Sequence, residues 1–519
     1  MAQVNKIDSN ITGLAFAEEA VLGSLPGENG NAGTPVWYRL NPNSYSDFGG
    51  EIVTVAPNPI NPSRQRRKGQ TTDLNASGGF NHNLTFENLT RLMQGVMFAT
   101  IRTKGQELVT AVDVDTSNPD EYEVALTAGF IVGNLVKGRG FLNSANNGVN
   151  VVTAITTDTS VEVADSALVV EASPPTGADI VVIGHQFAGD DLNIVVSGDL
   201  PTITSDGSFN FTTLGLIPGQ WIYIGGDLTA QSFVSAANNG FKRVRAVSAT
   251  AITLDKSFLA MTAESLSSGQ TVRIYYGDVL KNEDAADIVR RSYNIERLLG
   301  APDSSEPTEI QSEVLIGAVP NEFTLNIPQA DLASVDITFV ATDNVQRTGP
   351  TGAKQSSVQI FRTAAEYNTS SDVGRIRLST VSQTDEAPAA LFAYVTEASL
   401  IVNNNVSPNK AVGVLGAFDV TAGTFQVSGS VTAYFSNVTA IQAVRNNADV
   451  TLDISFIKDN TGIIYDVPLI SLGDGRLSVE IDQPITLPLS NEAASGEDVS
   501  VNLDHTLCIT YFNYLPNAA

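Results

Sequence analysis

The sequence holds one cysteine, Cys508, in 519 residues. That excludes an intrachain disulfide framework and fits a reducing compartment. Histidine is almost as scarce, with His82, His185 and His505 the full set. No two of them stand at a spacing that would let them share a metal, and neither HExxH nor CxxC occurs. Each is expected to be a satisfied surface or turn residue. Basic charge is short as well: 29 Lys and Arg face 56 Asp and Glu, a formal net charge of -27. Such a surface repels nucleic acid and anionic membranes, which disfavours sequence-reading DNA binding. No apolar run approaches the ~20 residues that span a bilayer. The segment IDSNITGLAFAEEAVLGSLPGENG has no basic leader, and Glu18 and Glu19 interrupt its apolar run, so it is not expected to be a secretory signal. A soluble chain, made and kept in the cytosol until it is assembled, is the expectation.

Catalytic signatures are missing too. There is no GxSxG, no phosphate loop and no GxGxxG opening a helix. The stretch DVDTSNPDE sets Asp113, Asp115, Ser117, Asn118 and Asp120 in the outline of a calcium loop. Its sixth and twelfth positions hold Asn118 and Val124, where such a loop needs glycine and glutamate. Carboxylate pairs such as Asp190-Asp191 arise in any chain this acidic and do not identify a glycosidase. No cofactor or metal is expected, and an enzyme is the least supported class.

What is present points to strands. Hydrophobic residues make up 42% and charged residues 16% of the chain, so large cores can form. Val, Ile and Thr recur between Gly, Asn and Pro, which is the texture of short strands and turns. The length corresponds to about three or four domains.

Two internal repeats organise the chain. TDLNASGGFNHNLTFENLTRLMQGVMFAT, from Thr72, has a degenerate copy in VSGSVTAYFSNVTAIQAVRNNA, from Val427. Setting Ser77-Gly78 on Ser428-Gly429 puts Phe80 over Val431 and Leu92 over Ala443. Each copy reads as an alternating strand followed by a short helix; in the first, Phe86, Leu89, Leu92, Met93 and Val96 have helical spacing. TLDISFIKDNTGIIYDVPLISLGDGRLSVEIDQPITLPL similarly parallels SYNIERLL with TEIQSEVLIGAVPNEFTLNIP. The second repeat is FLNSANNG, from Phe141, against FVSAANNG, from Phe233. Asn-Asn-Gly is expected to supply the positive-φ positions of a hairpin turn.

The fold class expected is mainly all-β: two β-sandwich domains, each with a short helix, plus two small inserted β modules. Residues 1–34 form a Gly/Asn-rich arm. Residues 35–106 and 278–362 form the first domain, with NPNSYSDFGG as a connector before a strand over Glu51 to Ala56. Residues 107–200 and 201–277 are the inserted modules, 363–387 a polar linker with room for edge strands, and 388–519 the second copy. Long insertions are best tolerated at exposed sites, so the modules are expected to project outward and to be dispensable. Arg64, Arg66, Arg67 and Lys68 cluster in a proline-rich loop, PNPINPSRQRRKGQ. In so acidic a chain they are expected to contact acidic surface on a neighbouring subunit.

The stretch TPVWYRL through LTRLMQGVMFA resembles the N-terminal half of major tail tube proteins of long, non-contractile-tailed bacteriophages. RRSYNIERLL with VLIGAVPNEFTLNIP resembles the strand block that follows in that family, and VSGSVTAYFSN with the closing strands is similar to a second copy. The resemblance covers the first 110 residues best, 290–345 and 390–519 more loosely, and the inserted modules hardly at all. It implies β-sandwich domains in stacked rings around a DNA conduit, six domains per ring, with no catalytic residues. The expected partners are the chain itself, as a trimeric ring, and the tail terminator, tape measure and distal tail proteins. DNA would pass without specific binding, there would be no membrane anchoring, and the chain would reside in the virion tail. The alternative is a β-rich adhesive or carbohydrate-binding tail fibre or surface protein. Against it, tryptophans number 2 and aromatics total 7%.

Overall fold

A computed structural model describes residues 6–8, 12–27, 35–60, 62, 65–114, 120–156, 159–164, 167–188, 191–196, 200–205, 209–256, 259–267, 269–302, 308–350, 352–355, 358–359, 365–381, 390–392 and 394–517. The fold is all-β, with two short helices among these residues. The body strands used below are β1 (Gly13–Glu18), β2 (Trp37–Leu40), β3 (Ser44–Val55), β4 (Gln70–Asn83), β5 (Asp278–Lys281), β6 (Tyr293–Gly300), β7 (Ile310–Ile327) and β8 (Ser334–Ala341). They continue as β9 (Asp343–Gly349), β10 (Val373–Thr380), β11 (Val395–Asn403), β12 (Gln426–Tyr434), β13 (Val450–Lys458), β14 (Thr461–Asp474), β15 (Thr486–Ala494) and β16 (Cys508–Phe512). Helix α1 (Thr90–Val96) follows β4, and α2 (Thr439–Arg445) follows β12.

The body is built twice. In the N-terminal half the antiparallel order is β6–β7–β8–β4–β3. In the C-terminal half it is β13–β14–β15–β12–β11. The registers correspond as well: Phe80 faces Ile337, and Val431 faces Leu489. The helices sit at matching places and bury matching faces, Leu92, Met93 and Val96 in α1 and Ala440 and Ala443 in α2. Alternation along each strand sends every second side chain inward, so one residue type pattern, repeated, yields one pairing order, repeated.

Of three stretches set against expectation, the first differs. NPNSYSDFGG is not a separate connector, because β3 runs unbroken from Ser44 to Val55. A bulge between Ser46 and Gly49, with Asp47 at φ 44°, lets the strand carry turn-type residues. Within 363–387, where the sequence leaves room for edge strands, β10 pairs with β13 along its length, and its Arg375 and Arg377 converge on Asp453. In the arm, β1 pairs with β2 and β6, so Leu14, Ala15, Phe16 and Ala17 are buried.

The insert, 107–277, has its own core, shared by both modules: Val136, Ile180, Val182, Ile222, Ile224, Val244 and Ile274 belong to one cluster. The modules join where Gly184–Ala188 pairs with Thr271–Tyr275. The insert does not stand free. Leu135, Val181, Ile183, Trp221, Tyr223 and Tyr275 pack on Ile464, Phe512 and Leu515 of the C-terminal half. On leaving the insert the chain forms β5, which pairs with β16. Removing the insert would therefore uncover an apolar face on the C-terminal half.

The ANNG loops are also built differently from expectation. Each is a 3-10 turn, Ser144–Asn147 and Ala236–Asn238, and the asparagines work through their side chains. Asn147 Nδ2 donates to the Phe141 and Asn143 carbonyls, as Asn239 Nδ2 does to Phe233 and Ser235. Buried Asn146 donates to the Val169 carbonyl and Glu171, and buried Asn238 donates to the Thr262 carbonyl and Glu264. A buried amide with all its partners is a structural clamp.

Candidate assembly surface

The two halves meet edge to edge. Glu322 to Ile327 of β7 pairs antiparallel with Asn403 to Ala398 of β11. Phe323, Leu325, Leu400 and Val402 are all 0% exposed there. The amide of buried Asn404 fastens the joint to the end of α1, donating to the Val96 carbonyl at 2.9 Å and the Pro320 carbonyl at 3.1 Å. Backbone pairing supplies the contact, and the alternating apolar side chains fix its register.

At the opposite side of the N-terminal half, β3 has β4 as its one pairing partner among the described residues. Its outer stretch exposes Ile52, Val53 and Val55, and beyond it lies the proline-rich loop. Arg66, Arg67 and Lys68 are exposed on that loop, while Arg64 lies outside the described residues. None of these three cations pairs with a carboxylate among the described residues. Compact surface charge placed this way can attract an acidic partner and is sensitive to salt.

Between insert and body lies a buried charge cluster. Arg243 bonds Asp255 at 2.5 Å and Asp466 at 3.1 Å, and donates to Thr451 at 3.1 Å. Arg245 also bonds Asp255, at 2.5 Å. Burial alone would lower Arg243; the carboxylates of Asp466 and Asp255 outweigh it and raise it. Asp255, held by two guanidiniums, is lowered despite its burial. Asp466 stays above the ordinary carboxylate range because burial outweighs the pull of Arg243. The two ends of the Arg243–Asp466 pair thus move in the same direction. Dehydration of Asp466 is the larger effect, since its carboxylate is 0% exposed and has one guanidinium to share. Arg375 stacks over Trp221 at 4.8 Å beside this cluster.

The histidines are not surface residues. His82, His185 and His505 are each at most 4% exposed. His185 lies against Phe187 and Phe209, at 4.5 and 4.7 Å between ring centres, and burial lowers its pKa to about 4. His82 Nδ1 is 2.5 Å from the Asn83 carbonyl. The apolar flanks, Asp-Ile-Val-Val-Ile-Gly before His185 and Leu-Cys-Ile after His505, carried the signal for burial. Asp115, Ser117 and Asn118 lie outside the described residues, as does Asp190. Asp120 is buried and accepts from the Leu168 amide, which removes it from a calcium loop. Asp113, Glu121 and Glu123 gather nearby at ligand spacing, partly exposed and without further donors among them. Burial pushes the Cys508 thiol up, which leaves it unreactive.

Compared with known proteins, the chain matches a family model described as phage tail tube protein over residues 9–504. The match runs through the inserted modules. No curated protein matches the sequence. Among solved structures, one similarity is to the phage phi92 endosialidase, at 9% identity over 89% of this chain and 71% of that one, with a TM-score of 0.14. A superposition that poor carries no argument about fold or activity.

Proposed function

Because the chain belongs to the phage tail tube protein family, we propose that it polymerises as stacked rings of three chains, forming the conduit through which phage DNA enters the host. Membership itself makes it a structural component of the virion tail. One observation carries the finer reading. The two halves share a strand order and are joined through β7 and β11, so each chain contributes two neighbouring wall units. Three chains then supply six units with true threefold and approximate sixfold symmetry, because a closed ring needs edges that complement one another around the axis. The long, non-contractile type of tail belongs to this reading.

The net charge of -27 suits a lumen that DNA traverses, since polyanion affinity arises from neutralising contacts. Arg64, Arg66, Arg67 and Lys68 bind the next ring by meeting its acidic surface. The tail terminator, the tape measure and the distal tail protein contact the ends and interior of the tube. Electron microscopy of the purified chain, concentrated at low salt, tests this: annular particles with a central channel, stacking end to end, are expected. A chain that stays monomeric at every concentration, or forms solid fibres, would overturn the reading.

A further inference from the structure

The joint between the halves has an unfilled counterpart. Residues 325–327, Leu-Asn-Ile, correspond to 477–479, Leu-Ser-Val, because both follow the segment that leaves β6 or β13 and both run beside the next strand. In the first copy Asn326 pairs with Ser334; in the second, Ser478 bridges Thr486. The apolar positions match one for one, yet their environments are opposite. Leu325 and Ile327 are 0% and 4% exposed, and Leu477 and Val479 are 38% and 68% exposed. What the first set has and the second lacks is β11.

The pairing order names the missing strand. β11 lies beside β12 as β3 lies beside β4. Ala398 faces Val431, and the matching Phe80 faces Tyr45. We infer that Leu477 to Val479 pairs antiparallel with the outer edge of β3, around Tyr45 to Phe48, in a second copy of this chain. Ser478 already spends its backbone groups on Thr486, donating at 2.9 Å and accepting at 3.2 Å. Alternation in an antiparallel ladder then aims the backbone groups of Leu477 and Val479 at the open side. Tyr45 and Phe48 stand half-buried on β3, at the positions matching Ala398 and Leu400. An open edge with alternating apolar residues is a template for strand addition. The contact is heterologous, so each copy offers 477–479 to one neighbour and β3 to the other. It rests on the ring reading above but concerns which edges touch, not how many chains close the ring.

Two variants of the full chain test it. Leu477→Asp with Val479→Asp alters exposed side chains, so the monomer should fold with an unchanged thermal transition, while ring formation should fall at least tenfold. Ser478→Cys with Ser46→Cys, oxidised after assembly, should give covalent oligomers on a denaturing gel, since Cys508 is buried and cannot compete. Rings that assemble normally from the aspartate variant and yield no cross-link would overturn the joint while leaving the ring reading intact. Cross-links in rings of some other chain number would leave the joint standing and overturn the count. A wild-type chain that never associates would remove both.

Discussion

Replacing Arg243 with methionine should loosen the insert from the body. The substitution keeps the stem but strands Asp466, whose carboxylate is 0% exposed, and removes one of two guanidiniums from Asp255. Breaking a buried ion pair from one side costs about 3–5 kcal/mol. Trp221, 4% exposed at this contact, reports it by fluorescence once Trp37→Phe removes the other tryptophan. With a urea dependence of ~2 kcal/mol/M, the midpoint of the Trp221 transition should fall by roughly 1.5–2.5 M. The pH dependence supplies a second check. Burial already raises Asp466 above its unfolded value, and loss of Arg243 raises it further. A native carboxyl with a raised pKa binds protons more readily than the unfolded chain, so its penalty is full at high pH and is relieved as pH falls through the native value. The deficit should therefore narrow between pH 8 and pH 5. Adding Asp466→Leu should restore most of the loss at pH 8. A midpoint shift equivalent to less than about 1 kcal/mol, or a deficit that does not change with pH, would refute the claim that this cluster fixes the insert.

Other outcomes follow from the same contacts. Asn146→Ala and Asn238→Ala should each destabilise their module by about 2–4 kcal/mol, because each removes a buried amide with three hydrogen bonds, one of them to a carboxylate; similar losses in thermal unfolding are expected, since the two sets of partners correspond atom for atom. His185, with a native pKa of about 4 against an ordinary 6.5, is neutral in the fold. The stability this lends is complete above pH 6.5 and lost as pH falls towards 4, by up to about 3 kcal/mol; His185→Phe should flatten that part of the pH profile measured by calorimetry. Reversing Arg64, Arg66, Arg67 and Lys68 to Glu should leave single rings folded and abolish stacking in electron micrographs, whereas wild-type stacking should weaken in high salt.

The duplication was legible because the two strand–helix units keep the same apolar spacing, and Phe80 and Val431 do occupy equivalent registers. The fold class followed from Val, Ile and Thr between turn residues. Chemistry of long-range contact was not legible. Arg375 and Arg377 left β10 readable only as an edge strand within a polar linker, since nothing local reveals Asp453 as their common partner. Asp47 and Gly49 read as a turn because a bulge and a turn use the same residue types. The three histidines looked like surface residues in a polar chain until tertiary packing placed apolar walls around them. The ANNG loops were found, but side-chain clamps to Glu171 and Glu264, distant in sequence, replaced the expected backbone turn. Insertion within a domain suggested a removable ornament; the apolar contacts of Ile464, Phe512 and Leu515 with Trp221 and Tyr275 make it part of the body.

The number of chains in each ring bears most directly on the account. Cross-sections of assembled tubes, imaged by cryo-electron microscopy without imposed symmetry, should contain six similar wall units alternating in two kinds, with three inserts per ring. Strict sixfold density, with one wall unit and one insert from each of six chains, would contradict it.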